Sequence, residues 1–390
     1  MIKENEGRSI RDYGNRKKKD KRIRNIVISV LFLVFAAMGI AYLLSIYNRN
    51  YQSYEVLKTV DNTGESTVGY LSYGSAVVKY SRDGAVAIDK DGSILWNGSY
   101  EMMNPITDTC GKYVVIADKD NKSIQIFDEK GLVGGYTTQY DIKKVEIAAQ
   151  GVVVALMDGE EANYIMLYGL DGTVLGDVKK YINNDGYPID IALSNDGQKM
   201  VISFLSFAKG ELISKVAFYN FGEVGQNYTS NVVGGFEFKD MILPRVTFLG
   251  NDTVCSYKEN GFLIFSMIET PNMIHEENLE GKIQSILNSD KYTGVVLKAG
   301  EASPKQLLLY NLKGEKILDK VLDFDYDKIF LTGEEIIMYD NLTCLVMKIN
   351  GQIKFRYTFD GNVAAFFPIN DLDRYFLIDE TKISEILLVE

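Results

Sequence analysis

From Tyr54 to the C-terminus, apolar residues fall in short runs rich in Val, Ile, Tyr and Phe, separated by clusters of Gly, Asn and Asp. Runs of that length bounded by turn formers predict β-strands. The clearest stretch is Ala85-Val-Ala-Ile-Asp-Lys-Asp-Gly-Ser-Ile-Leu-Trp96, a strand, a polar turn with Gly92, and a second strand. The same strand–turn–strand pattern returns at Ser123–Gly131, Tyr164–Gly172, Lys215–Gly222, Gln306–Gly314 and Cys344–Gly351. A weaker copy starts at Gly261 and turns at Thr270-Pro271 without the glycine. Long helical periodicity is absent from this region. Leu279–Leu287 has room for a turn or two of helix, which Gly281 weakens.

Each hairpin is preceded by a further apolar strand, such as Tyr113-Val-Val-Ile-Ala117 or Glu335-Ile-Ile-Met-Tyr339. Another follows, such as Lys144-Val-Glu-Ile-Ala148 or Val363-Ala-Ala-Phe-Phe367. Four strands in about 42 residues predict a β-propeller blade. Seven such units fill residues 74–370. Two strands within 54–73 and two within 371–390 are expected to combine into one more blade that closes the ring. The expected fold is all-β, an eight-bladed propeller, with seven blades if the terminal strands do not pair.

One segment departs from this pattern. Ile26 to Ile46 is a nearly continuous apolar run without a charge. As a helix it covers the roughly 30 Å hydrocarbon core of a bilayer. Residues 1–25 carry ten Lys/Arg against four Asp/Glu. The positive-inside rule then keeps the N-terminus in the cytoplasm and places the C-terminal domain outside the cell. The expected organisation is a basic tail (1–25), a transmembrane helix (26–47), a short linker (48–53) and a propeller (54–390). Ala37-Met-Gly39 makes a poor cleavage motif, so the run is read as a retained, single-pass anchor.

With these residues in view, the stretch around Gly92 resembles the repeat of pyrroloquinoline-quinone-type propellers, in which a strand ends in Asp, a Gly turn follows and a Trp comes four residues later. Trp96 is the only Trp in the chain. Paired cysteines and a regular Trp girdle are missing, so the resemblance implies the fold without the quinone activity. The overall layout resembles membrane-anchored propellers of uncharacterised function from Gram-positive bacteria, which implies a role in the cell envelope.

Charge and candidate chemistry narrow the function. The net charge of −11 excludes duplex nucleic acid as a natural partner for the acidic body of the chain. Cys110, Cys255 and Cys344 are too few for a disulfide framework and read as small core residues. The single histidine, His275, reads as a surface residue. The acidic sets Asp89/Asp91, Asp118/Asp120, Asp323/Asp325/Asp327 and Asp371/Asp373 read as turn residues, with Asp323–Asp327 the best Ca²⁺ candidate among them.

The longest unit has extra sequence around Phe207 and Tyr228. Insertions on a repeat scaffold mark binding faces, so these two aromatics are the candidate binding residues. No catalytic, cofactor or metal residue is assigned. The expected function is a non-catalytic scaffold binding a protein or wall polymer outside the membrane. The alternative is an extracellular glycan-active enzyme using carboxylates at the propeller centre.

Overall fold

A computed structural model describes residues 24–40, 42, 48–62, 67–181, 186–208, 210–300, 303–369 and 373–390. Residues 51–389 form one compact unit, and residues 1–50 with Glu390 form another.

The larger unit begins with β1 (Ser53–Asp61). Blade 1 follows as β2 (Thr67–Tyr73), β3 (Ala76–Ser81), β4 (Gly84–Asp89) and β5 (Ile94–Ser99). Blade 2 is β6 (Pro105–Cys110), β7 (Tyr113–Asp118), β8 (Ser123–Asp128) and β9 (Gly131–Thr137). Blade 3 is β10 (Asp141–Ile147), β11 (Val153–Asp158), β12 (Asn163–Tyr168) and β13 (Val174–Lys180). Blade 4 is β14 (Tyr187–Leu193), β15 (Lys199–Ala208), β16 (Glu211–Asn220) and β17 (Val232–Lys239). Blade 5 is β18 (Arg245–Leu249), β19 (Thr253–Lys258), β20 (Gly261–Ser266) and β21 (Asn272–Asn278). Blade 6 is β22 (Lys282–Asn288), β23 (Tyr292–Lys298), β24 (Lys305–Asn311) and β25 (Lys316–Leu322). Blade 7 is β26 (Lys328–Thr332), β27 (Glu335–Tyr339), β28 (Thr343–Lys348) and β29 (Ile353–Thr358). Blade 8 is β30 (Ala365–Pro368), β31 (Arg374–Ile378) and β32 (Lys382–Val389), completed by β1.

The eight-bladed propeller read from the sequence is therefore present. Its closure differs from the expected two strands plus two. Three C-terminal strands pair with one N-terminal strand, β1 running antiparallel to β32 from Ser53↔Val389 to Asp61↔Lys382. The second strand of the 54–73 pair, β2, instead opens blade 1. Likewise the strands at 144–148 and 363–367 begin a new blade rather than finish the old one. Leu279–Leu287 is extended, with β22 beginning at Lys282. Tyr51, placed in the linker by sequence, is buried and bridges to Phe355, so the propeller begins there.

Burial explains the strand order. Middle strands such as β7 (Tyr-Val-Val-Ile-Ala-Asp) are buried throughout, whereas fourth strands such as β9 alternate with solvent. First strands therefore line the centre and fourth strands form the outer wall. Among the described residues, eight apolar clusters each straddle one pair of neighbouring blades, including blades 8 and 1. Trp96 illustrates the joint. It stacks on Phe127 of blade 2 with ring centroids 4.7 Å apart. In blades 1, 3, 6 and 7 the glycine turn before the fourth strand completes the contact with the preceding blade. A Cβ on Gly314 would land on the ring of His275 in the preceding blade, and its φ of +82° favours glycine as well.

Strand direction defines two faces. The stem face holds Ser53, Val389 and the turns joining first to second and third to fourth strands. The far face holds the second-to-third turns and the crossings between blades.

In the smaller unit, residues 24–40 are helical and exposed along their whole length. Among the described residues, no helix is long and apolar enough to cross a membrane. The basic tail through residue 23, and residues 41 and 43–47 of the expected anchor, lie outside the described residues.

Candidate functional site

The channel wall carries charge on three consecutive first strands. Asp108 on β6 accepts the Ile147 amide of β10 at 2.8 Å. Glu146 on β10 accepts the Leu193 amide of β14 at 2.7 Å. Asp190 on β14 accepts the Val246 amide of β18 at 2.8 Å. Each carboxylate thus ties its blade to the next by a charge-assisted bond. Lys144 bridges two of them, 2.9 Å from Glu146 and 2.6 Å from Asp190. A register shift after Ile142 and another after Pro188 precede Lys144 and Asp190, re-aiming those side chains.

Electrostatics follow from the enclosure. Burial, then the Glu146 charge, pushes the Asp108 carboxyl up to about 7. Burial likewise raises Glu146, against the pull of Lys144. Burial draws Lys144 down, but Glu146 and Asp190 together hold it above its ordinary value. The Cys110 thiol is pushed up to about 11, first by burial and then by Asp108, Asp290 and Glu146, so it is a poor nucleophile. Cys110 is half-buried rather than in the core, while Cys255 and Cys344 are buried as expected, and all three are free.

Below this wall the stem-face turns knit together. Asn195 donates to Asp290 at 3.1 Å, reaching from blade 4 to blade 6, and Ala149 donates its amide to the Asn195 carbonyl at 2.8 Å.

The two aromatics singled out by sequence do not meet. Phe207 lies at the end of the β15–β16 hairpin on the far face, paired across from Leu212. Tyr228 lies between two short 3-10 turns, Gly225–Asn227 and Thr229–Asn231, on the stem face. The ten-residue β16, roughly 33 Å long at about 3.3 Å per residue, separates them. The hairpin is about four residues longer than its counterparts, projecting roughly 13 Å farther. Phe207 is 74% exposed there.

His275 is half-buried, 2.9 Å from Glu277, beneath the Gly314 turn. Asp323 pairs with Arg356 at 3.2 Å and Asp325 with Lys305 at 2.8 Å. These acids go to separate cations, and among the described residues no group of three or more His, Cys, Asp or Glu is placed to hold a metal. Sequence reasoning passed over Asp108, Lys144, Glu146 and Asp190. Their signal was charge inside a strand pattern, repeated in consecutive blades.

The profile of one family, a family of unknown function (DUF5711), matches residues 47–388. The chain belongs to that family. Its match spans the propeller and the approach to it. No curated protein matches the sequence. Solved structures share the architecture. BamB from Moraxella catarrhalis is 13% identical, with a TM-score of 0.52 over 86% of this chain and 100% of its own. Saccharomyces cerevisiae Sqt1 is 12% identical, with a TM-score of 0.57 over 87% and 100%. Citrobacter koseri AztD is 10% identical, with a TM-score of 0.52 over 78% and 89%. At these identities the likeness is one of fold.

Proposed function

We propose that this protein is a membrane-tethered, extracytoplasmic propeller that acts as a non-catalytic docking scaffold for a protein of the cell envelope. The carrying observation is Phe207, a large aromatic held out in solvent at the end of an extended hairpin on the far face. Exposed aromatics of this kind supply the buried centre of protein interfaces. A salt bridge of 2.7 Å between Glu211 and Lys239 braces the hairpin against β17. The tether is the apolar run from Ile26 to Ile46, supported by its length, its lack of charge and the basic residues before it.

Site-specific photo-cross-linking tests the scaffold. A probe at position 207 in intact cells should give one discrete protein adduct. The same probe at Leu132, exposed on the wall of blade 2, should give none. A Phe207→Ser chain should retain less than about a tenth of that adduct's protein on co-purification. Equal labelling from both positions would overturn the reading.

A second reading, an enzyme acting on extracellular glycans, is favoured by the Asp108–Glu146 pair, in which one carboxyl is displaced to about 7. It ranks below the scaffold because both carboxylates are already engaged in bonds between blades.

A further inference from the structure

The seam where blade 8 meets blade 1 opens on the far face into two adjoining clefts. One, of about 700 Å³, spans the first strands of blades 7, 8 and 1. Its walls include Tyr70, Tyr80, Tyr339, Asn62, Lys328 and Glu380. The other, of about 410 Å³, runs outward between β1 and the face of blade 1, past Asp61, Asp83, Asn97 and Ser99. Asn62 and Tyr80 line both, so the two make one radial groove.

The groove is built rather than incidental. Asn62, buried, donates to the Tyr70 hydroxyl at 2.8 Å and to the Asp379 carbonyl at 2.6 Å, and accepts from Lys79 at 2.7 Å. The Tyr70 hydroxyl therefore has its own proton left to donate. Among the described residues, no hydrogen bond to the hydroxyls of Tyr80 and Tyr339 and no ion pair to Lys328 is formed.

We infer that this groove binds a neutral oligosaccharide. The half-buried rings of Tyr70 and Tyr80 offer surface for the C–H faces of pyranose rings, and the hydroxyls along the wall, that of the buried Tyr339 included, offer donors and acceptors to sugar hydroxyls. Lys328 and Glu380 supply one charged partner of each sign, a combination that serves polyols and gives no net attraction to an anion. In the outer cleft Asp61 and Asp83 outnumber Lys79, which disfavours a polyanionic chain. Each cleft alone lies in the range of small-ligand sites, and their end-to-end arrangement suits a linear chain of several sugars. The groove is independent of the Phe207 hairpin, so it adds a second ligand to the scaffold.

The test uses the full chain in detergent, with cellotetraose and the tetramer of β-1,4-linked N-acetylglucosamine as probes and tri-galacturonate as the anionic control. Saturation-transfer NMR should show transfer to at least one neutral tetramer and none to the control. Tyr70→Ala and Lys328→Ala should each weaken binding about tenfold, and Tyr70→Phe about threefold. Lys328 is exposed, so its variant separates loss of binding from loss of fold, and matched thermal melts check both. No transfer to either tetramer at millimolar concentration overturns the proposal. So does binding that survives both alanine variants, or a preference for the control. Cross-linking from position 207 is unaffected in every case, which keeps this result separate from that of the protein-docking reading.

Discussion

Asp108 accepts the Ile147 amide and faces Glu146 and Lys144 of the next blade. Its carboxyl titrates near 7 in the folded chain, against an ordinary value of 3.8. The folded state therefore holds this proton more tightly than the unfolded state between those limits. Stability from this group is present at low pH and falls as pH rises from about 4 to about 7. Asp108→Asn keeps an acceptor for Ile147 and stays neutral at every pH. We expect it to melt higher than the parent at pH 8, by a margin worth about 1–2 kcal/mol after allowance for solvent in the channel. The two should melt together at pH 4.5. A margin that is the same at both pH values would show that Asp108 is ionised throughout. The same variant decides the enzyme reading. Glycan hydrolysis by the parent that disappears in Asp108→Asn would replace the scaffold.

The recurring element is the turn between third and fourth strands, and it does more than reverse the chain. Gly314 combines a φ of +82° with a close approach to His275 of the preceding blade. Gly74, in the β2–β3 turn, has a φ of +57° and open space around it. Substitution by Ala should thus separate backbone strain from blade packing. Gly74→Ala is expected to cost about 1 kcal/mol, from the left-handed backbone alone. Gly314→Ala should cost about 2–4 kcal/mol, because the His275 ring must also move. Equal shifts in chemical denaturation would show that the turn does not lock the blades. Turns of this kind were legible in the sequence, because Gly and Asp act within a few residues of themselves. The phase of the blade was not. Val363-Ala-Ala-Phe-Phe367 follows a hairpin at the spacing of a fourth strand, yet it starts blade 8. First and fourth strands both present one half-buried face to the sequence, and only the partner strand tells them apart. The channel carboxylates were hidden for a related reason. Asp108, Glu146 and Asp190 lie about 40 residues apart, and what unites them is an amide in the next blade.

At the scale of the whole molecule, the ring depends on a single strand. β1 is largely exposed along Ser53–Asp61, so it contributes little burial of its own. Its effect is on what it covers. It completes the ladder of β32, whose Ile383, Ile386 and Leu388 are buried between blades. Tyr51 precedes it, donating its amide to the Lys354 carbonyl at 2.8 Å and packing with Phe355 and Tyr375 across the joint of blades 7 and 8. Without this stretch, β32 becomes a bare edge with unpaired amides and carbonyls. Buried polar bonds nearby cannot substitute for it. The 2.6 Å bond from Tyr375 to Glu335 and the 2.8 Å bond from Lys354 to Tyr375 join blade 7 to β31, leaving the outer edge open. A chain of residues 51–390 retains every one of these contacts and should be monomeric, melting with the propeller of the full chain. A chain of residues 62–390 should melt at least about 10 °C lower or associate through the β32 edge on size exclusion. A monomeric 62–390 chain with an unchanged melt would show that three strands suffice for blade 8. The N-terminal strand would then be a leash to the segment before it, with no part in closing the ring.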